Sequence, residues 1–297
     1  MKSKGAVFVL IAAVLWGGVG IFVRNLERLG VSSMNIVFMR CLFTVIILGA
    51  VLLIKSPAEF RISARDVPLF AANGIFSVVM FTFCYYMTIS LSTLSVAAVL
   101  MYTAPMFVMI ISMIFFKEKL TVRKVVALVL SFAGCAFVSG IVGTSVRISA
   151  GALIYGLLTG LGYALYTVFG SRLILRGYNT LTIIFYTFFI ALCGSMIILA
   201  VRGEMNFTAY KPEAWFWAFL MAVFNTVLPY LFYTYGLKLT DTSTAPIIAT
   251  VEPVSATVVG LFFGEKLTLF GTLGIILVLC SVVLINIRIK PKANKQI

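Results

Sequence analysis

Glu252 and Pro253 stand side by side in an otherwise apolar stretch, ATVEPVSATVVGLFFGEKLT at 249–268. If this stretch belongs to a membrane-crossing helix that spans 242–264, the carboxylate lies about ten residues into that helix, or about 15 Å deep at 1.5 Å per residue. A charge at that depth costs about 2.5 kcal/mol or more unless it is paired, protonated or wetted by a cavity. The pair therefore predicts a midplane site for a substrate amine or a proton. The alternative is an acid that is hydrogen-bonded between helices and holds a kink.

Arg40 is a second charge inside a predicted span. It lies about seven residues from the outer end of the second span, 33–54. It could bind a substrate carboxylate or pair with Glu252 through water. It could equally run its stem along the helix and place its guanidinium at the membrane interface.

Aromatic side chains cluster near the predicted kinks and include Tyr230 and Tyr233. In a cavity they could stack on an aromatic ligand or hold an ammonium by cation–π attraction, although most membrane tyrosines anchor at interfaces. The anchor interpretation suits those near span ends: Tyr85, Tyr86 and Tyr235. Cavity lining is predicted for the deeper ones: Trp16, Tyr102, Tyr163 and Tyr166.

Asn225 is an amide about twelve residues into the eighth predicted span, with Pro229 one turn later. Such an amide needs a partner, either another helix or the ligand, and both possibilities stay open. Proline loosens the carbonyls of the turn before it, which is tolerated at depth where the backbone is buried in protein or lines water. We therefore expect hinges at Pro105, Pro253 and Pro229.

The composition excludes a soluble protein. Of 297 residues, 62% are apolar and 11% charged, whereas soluble domains carry about a quarter charged residues. Charge-free runs match the roughly 20 residues that cross a bilayer as a helix. Ten spans are predicted, with the N-terminal one retained as a helix rather than cleaved as a signal: 5–24, 33–54, 67–89, 94–116, 122–142, 150–171, 179–201, 214–237, 242–264 and 268–288.

The net charge of +14 follows the pattern of a membrane protein rather than of a nucleic-acid-binding one. With the N-terminus inside, 16 of the 23 basic residues fall on the inner side and 6 on the outer side. Basic residues prefer cytoplasmic loops, so both termini are expected in the cytoplasm. The five cysteines lie in apolar segments without a CxxC pair, which disfavours a disulfide framework or a metal site.

The chain repeats itself at a shift near 147 residues: FFKEKLT at 115–121 returns as FFGEKLT at 262–268, and MYTAP at 101–105 aligns with ATVEP at 249–253. Five spans per half force the copies, 1–143 and 144–297, into opposite orientations. Inverted repeats suit alternating access around a midplane site. The acids of the paired ends, Glu118 and Glu265, are assigned to architecture rather than chemistry.

These features together resemble the EamA family of the drug/metabolite transporter superfamily: WGG at 16–18, Arg40, the two proline turns and the paired FF[KG]EKLT ends. The resemblance covers essentially the whole chain. It implies an all-α carrier of ten transmembrane helices, arranged as two inverted five-helix repeats around a central cavity, which exports small metabolites.

The leading hypothesis is a secondary transporter of the bacterial plasma membrane that exports amino acids or related amphipathic, aromatic compounds. No GxxxxGK[ST] loop occurs, so a gradient, including that of protons, is expected to supply the energy. The partners expected are a small-molecule substrate and lipids, with no cofactor, metal or nucleic acid. A channel or passive facilitator is the alternative. An intramembrane enzyme is disfavoured, because the chain has no histidine and no second mid-span carboxylate.

Overall fold

The computed structural model describes residues 2–142, 148–205, 207–264 and 266–287, which are helical and contain no β-strand. Each predicted span corresponds to one helix, and no boundary differs by more than four residues. The predicted boundary between the halves, at 143–144, lies outside the described residues. We label the helices α1 to α10 in chain order: Lys4–Arg28, Ser33–Lys55, Ala64–Leu91, Leu94–Phe115, Val122–Val138, Ala150–Leu175, Thr180–Arg202, Pro212–Leu237, Ala245–Phe262 and Leu269–Asn286.

The surface of the bundle is apolar, and polar side chains lie inside it. Among the described residues, nine helices are long and apolar enough to cross a membrane, and α5 is slightly shorter at 17 residues. Large apolar side chains such as Ile54, Val201 and Phe262 are more than 80% exposed, whereas Asn73 and Ser131 are fully buried. This distribution is the reverse of that in soluble proteins. The chain is an integral membrane protein.

The helices of the two halves pack against each other in a reciprocal pattern. The first helix of the first half, α1, contacts α8 and α9, and the first helix of the second half, α6, contacts α3 and α4. In addition, α2 packs against α7 and α5 against α10. Such an exchange of equivalent partners is what two inverted five-helix repeats produce, and it confirms the predicted fold.

A pair of glycines permits the close approach of α5 and α10. A Cβ atom on Gly134 would lie 2.8 Å from the carbonyl oxygen of Gly274, and one on Gly274 would lie 2.6 Å from that of Gly134. Because both obstacles are backbone atoms of packed helices, they cannot turn aside as a flexible side chain would. Small residues are the usual means of close helix contact in membranes.

Gly134→Val is expected to lower stability by about 1–3 kcal/mol, the usual cost of overpacking. Its melting temperature in detergent micelles, followed by size-exclusion chromatography after heating, measures this effect. The matched control is Gly20→Ala, because a Cβ on Gly20 meets no atom within 4 Å. Equal melting temperatures for the two variants would contradict the packing interpretation.

One helix in each half is broken at an equivalent position. The breaks fall at Thr103 in α4 and at Thr250 in α9, which are 147 residues apart. The hydroxyl of Thr103 donates to the carbonyl oxygen of Leu100 at 2.6 Å, and that of Thr250 donates to Ile247 at 2.6 Å. Each threonine thus satisfies a carbonyl that the interrupted helix leaves without a full partner.

A second pair of helices, α3 and α8, carries π-helical segments at equivalent positions, Ile75–Met80 and Ala222–Val227. Single π-helical turns inside α-helices are rare and frequent at functional sites. The three prolines expected to act as hinges lie in the first turn of the segment after a break or π segment: Pro105, Pro253 and Pro229. Movement at these prolines stays a prediction.

Four loops lie on the surface at the N-terminal end of α1, which we call the basic face: 56–63, 116–121, 176–179 and 238–244. Two of them are joined by a group of contacts that we call the loop clamp. Arg176 forms an ion pair with Asp66, which also accepts a hydrogen bond from the Tyr178 hydroxyl at 2.7 Å. Asn179 donates to Glu59 at 2.6 Å. The clamp connects the α2–α3 loop of one half with the α6–α7 loop of the other.

Candidate functional site

Glu252 lies in the first turn after the break in α9 and contacts α6 of the same half. The Tyr163 hydroxyl donates to its Oε2 at 3.3 Å, a long hydrogen bond. In the described part of the chain no cation lies within ion-pair distance of the carboxylate. The residue is surrounded by protein yet stays partly accessible, so a ligand or water could reach it. Its carboxylate retains capacity to accept hydrogen bonds from a ligand or water.

Five rings from three helices form an aromatic cluster beside Glu252: Trp16, Tyr163, Tyr166, Tyr230 and Tyr233. The Trp16 ring lies 6.3 Å from that of Tyr163 and 5.2 Å from that of Tyr230. Tyr163 and Tyr230 are half-buried, whereas the other three are buried. A ligand that lies beside Glu252 could therefore touch the two half-buried rings, those of Tyr163 and Tyr230.

Arg40 points into the bundle rather than outward to the membrane interface. Its Nε is buried and has no hydrogen-bond partner among the described residues. Its neighbours are the Cys41 thiol, Tyr86 and Tyr230. Arg40 forms no ion pair within the described chain. A buried guanidinium without an acidic partner is costly, and an anionic ligand would remove that cost.

Tyr230 lies near both Arg40 and Glu252. The two charges do not pair with each other. They therefore form two separate poles, one cationic and one anionic, with a half-buried aromatic ring near both. This arrangement can bind a molecule that carries a carboxylate and an amine.

Tyr102 lies in the break of α4, where it is buried and interacts electrostatically with Glu252. Tyr85 and Tyr86, assigned above to the membrane interface, are half-buried near Glu252 and Arg40 respectively. Their inward placement follows the π segment of α3, which changes the helix face presented after it. Tyr235 is exposed, as an interfacial anchor would be.

Comparison with protein families decides the identity of this arrangement. The model of the EamA-like transporter family matches residues 3–140 and again residues 150–287. The chain belongs to the EamA-like transporter family. Each match covers five of the ten helices, so the repeat found in the sequence is the family's own unit.

Proteins similar to this EamA-like transporter occur in bacteria and archaea. The uncharacterized transporter YxxF of Bacillus subtilis is 27% identical over 99% of this chain and 93% of its own length. An uncharacterized transporter of Archaeoglobus fulgidus is 28% identical over 94% and 95%, and the uncharacterized inner membrane transporter YicL of Salmonella typhimurium is 28% identical over 98% and 98%. A crystal structure with 14% identity superposes with a TM-score of 0.80 over 96% of this chain and 97% of the other.

Asn225 of the transporter finds its partner in another helix. Its amide donates to the carbonyl oxygens of Leu15 at 3.1 Å and Trp16 at 3.2 Å, just before α1 is interrupted at Gly18. Ser255 of α9 donates to the neighbouring carbonyl of Val14 at 3.0 Å. Of the two possibilities left open above, the structure shows the helix partner, and Asn225 holds the break in α1.

Two tyrosines of the aromatic cluster use their hydroxyls to join α6 to α8. Tyr166 pairs with Thr234 and Tyr233 pairs with Thr167, each at 2.7 Å. All four side chains are buried. Tyr166 was expected to line a cavity; its ring belongs to the cluster, but its hydroxyl holds the wall together.

Tyr230 was named among the clustered aromatic residues but not among those predicted to line a cavity. It follows Pro229, directly after the π segment of α8, and contacts Trp16, Tyr166 and Phe188. Its position next to a mid-span proline could have indicated a site residue, because such a proline marks an interrupted backbone deep in the membrane.

Tyr163→Phe is expected to reduce transport about threefold to tenfold and to shift its pH profile. The change removes the Tyr163 hydrogen bond to Glu252, and a bond to a charged group contributes about 1.5 kcal/mol, less at this length. Initial uptake rates between pH 5.5 and 8.5 measure it. The control is Tyr166→Phe, which loses the bond to Thr234 and should lower thermal stability without moving the profile. Identical profiles for wild type and Tyr163→Phe would contradict a role for this contact.

Proposed function

We propose that this EamA-like transporter is a secondary carrier that exports amino acids or related amphipathic, aromatic metabolites by alternating access. Glu252 binds the substrate amine or the proton that drives export, and Arg40 binds the substrate carboxylate. The half-buried rings of Tyr163 and Tyr230 contact the apolar or aromatic part of the substrate between the two poles.

The observation that carries the proposal is the partly accessible, unpaired carboxylate of Glu252 at mid-depth, with the unpaired guanidinium of Arg40 near the same tyrosine. Charged side chains inside a membrane are expensive and mark substrate or ion pathways. A single long hydrogen bond from Tyr163 is too little to stabilise the acid for a purely structural role. Glu252 also supports proton coupling. Because the chain contains no histidine, a proton relay inside the membrane would have to use carboxylates.

The orientation we propose places the basic face in the cytoplasm of a bacterium, with both termini on that side. By the predicted spans, the loops, helix ends and chain termini on this side together hold 16 of the 23 basic residues. Cytoplasmic loops of membrane proteins carry an excess of Lys and Arg. Export then means movement from the basic face to the opposite one.

Counter-flow in proteoliposomes tests the function. Vesicles that contain the purified protein are preloaded with one unlabelled metabolite at a time, from amino acids, their decarboxylated amines and purines, and uptake of the same labelled compound is followed. A carrier accumulates label transiently above equilibrium and saturates with substrate. A linear, non-saturating flux without accumulation would instead favour a channel, and saturation by purines but not amino acids would refute the proposed substrate class.

A further inference from the structure

Glu118, at the FFKEKLT end of α4, binds the loop between α8 and α9 across the boundary between the two halves. Its Oε1 accepts a hydrogen bond from the backbone N–H of Thr242 at 2.8 Å, and its Oε2 accepts one from the N–H of Ser243 at 3.3 Å. The Ser243 hydroxyl also donates to Oε2. These N–H groups lie just before α9 begins, where a helix N-terminus favours negative charge.

Lys124 completes this contact as a buried cation. Its side chain is only 9% exposed, and its Nζ lies 3.0 Å from Glu118 and 3.8 Å from Asp241. It also donates to the Ser243 hydroxyl at 2.7 Å. Breaking a buried pair by removing one charge is strongly destabilising, because the other charge is left unpaired. We call these five residues the latch: Glu118, Lys124, Asp241, Thr242 and Ser243.

The latch lies over a closed path. Between it and Glu252 the bundle is filled by buried apolar side chains of α1, α8 and α9: Ala6, Val9, Ala12, Leu237, Ile247 and Ile248. The helices α1 and α8 touch there through Gly5 and Gly236, where an added Cβ would meet the facing helix. Glu252 is thus separated from the basic face, and a substrate from that side can reach it only if this packing opens; the loop that Glu118 holds continues directly into α9.

The positions on the opposite face that are equivalent to Lys124 and Asp241 carry no charge. At the shift of 147 residues the counterpart of Lys124 is Gly271, which has no side chain, and the counterpart of Asp241 is Leu94. The equivalent acid, Glu265, lies outside the described residues. The buried lysine between two carboxylates is therefore a feature of one face only.

We propose that the latch is the gate on the basic face and that this asymmetry makes closure of that face the resting conformation. The inference rests on the alternating access proposed above and adds the residues that control it. Opening toward the basic face separates Glu118 from Thr242 and Ser243, whereas the equivalents of Lys124 and Asp241 on the opposite face, Gly271 and Leu94, are uncharged. Loss of the latch should shift the population toward the conformation that is open on the basic face.

Thiol labelling at two reporter positions tests the gate. In a background without the five native cysteines, Ile247→Cys reports on the path beneath the latch and Gly20→Cys reports on α1 beyond its break. Membrane-impermeant maleimide is applied to vesicles of each orientation. In Glu118→Gln and in Lys124→Met, Ile247→Cys should label about tenfold faster from the basic face, which corresponds to about 1.4 kcal/mol. Gly20→Cys should label more slowly from the opposite face.

The control is Asn179→Ala, which removes one contact of the loop clamp on the same face and should change neither rate. Unchanged labelling of Ile247→Cys in both latch variants would overturn the proposal, and so would a rise at both reporters, which indicates loosened packing. Labelling needs no substrate, so an incorrect substrate class leaves this result intact. A channel, by contrast, would label at both reporters already with the latch present, and that result would refute alternating access itself.

Discussion

Glu252→Gln is expected to reduce proton-driven export by about 10- to 150-fold. A hydrogen bond to a charged group contributes about 1.5–3 kcal/mol, and the amide can neither bind a proton nor balance an ammonium at this depth. The acid has one long hydrogen bond, from Tyr163, and no ion pair in the described chain, so its charge is available to a ligand. The measurement is uptake into inside-out vesicles with and without a pH gradient.

Two further variants serve as comparisons for this prediction. Glu252→Asp keeps the charge but retracts it, and should retain part of the activity with an altered KM. Glu213→Gln removes an exposed carboxylate at the start of α8 and should transport like wild type. If Glu252→Gln transported at the wild-type rate with the wild-type pH dependence, Glu252 would have no part in the mechanism.

Arg40→Gln is expected to raise KM for amino acids about 10- to 100-fold while the KM for decarboxylated amines stays within about twofold. The guanidinium has a buried Nε without a hydrogen-bond partner, and a carboxylate would supply a charge-assisted contact there. An amine that lacks the carboxylate never makes this contact, so it should not sense the substitution. Competitive inhibition of counter-flow by matched acid–amine pairs gives both values.

Arg40→Lys is the informative companion to this variant. A lysine keeps the charge but loses the planar fork of the guanidinium, so an intermediate KM is expected. A parallel loss of affinity for acids and amines in Arg40→Gln would show that Arg40 supports the fold of α2 instead of contacting substrate. Its neighbours Tyr86 and Tyr230 would then be the place to look for a packing defect.

The ten spans and their inverted repeat were predictable because the membrane imposes them. Lipid demands about 20 apolar residues per helix, and the matching ends at 115–121 and 262–268 fix the register of the halves. The depth of Glu252 in the membrane could be predicted by counting residues from the end of its span. These features depend on local sequence and simple geometry.

The partners of the site residues depend on contacts that no local pattern encodes. Asn225 bonds to carbonyls 209 and 210 residues away in α1, and Glu118 bonds to a loop 124 residues downstream. The FFKEKLT end was assigned to architecture because an acid beside a lysine at a helix end is ordinary in sequence. The π segments were also missed, since a single extra residue per turn barely disturbs the apolar pattern of a buried helix.

Water access to position 252 tests the central claim, that this carboxylate faces an aqueous cavity between the two inverted halves. In the cysteine-free background, Glu252→Cys is treated with a water-soluble methanethiosulfonate reagent, and Val258→Cys serves as the control. Val258 lies on the same helix with 45% of its side chain exposed on the apolar surface. We predict rapid modification at 252, slowed by a transported substrate, and little at 258. An unreactive thiol at 252, or equal modification at both positions, would contradict the account.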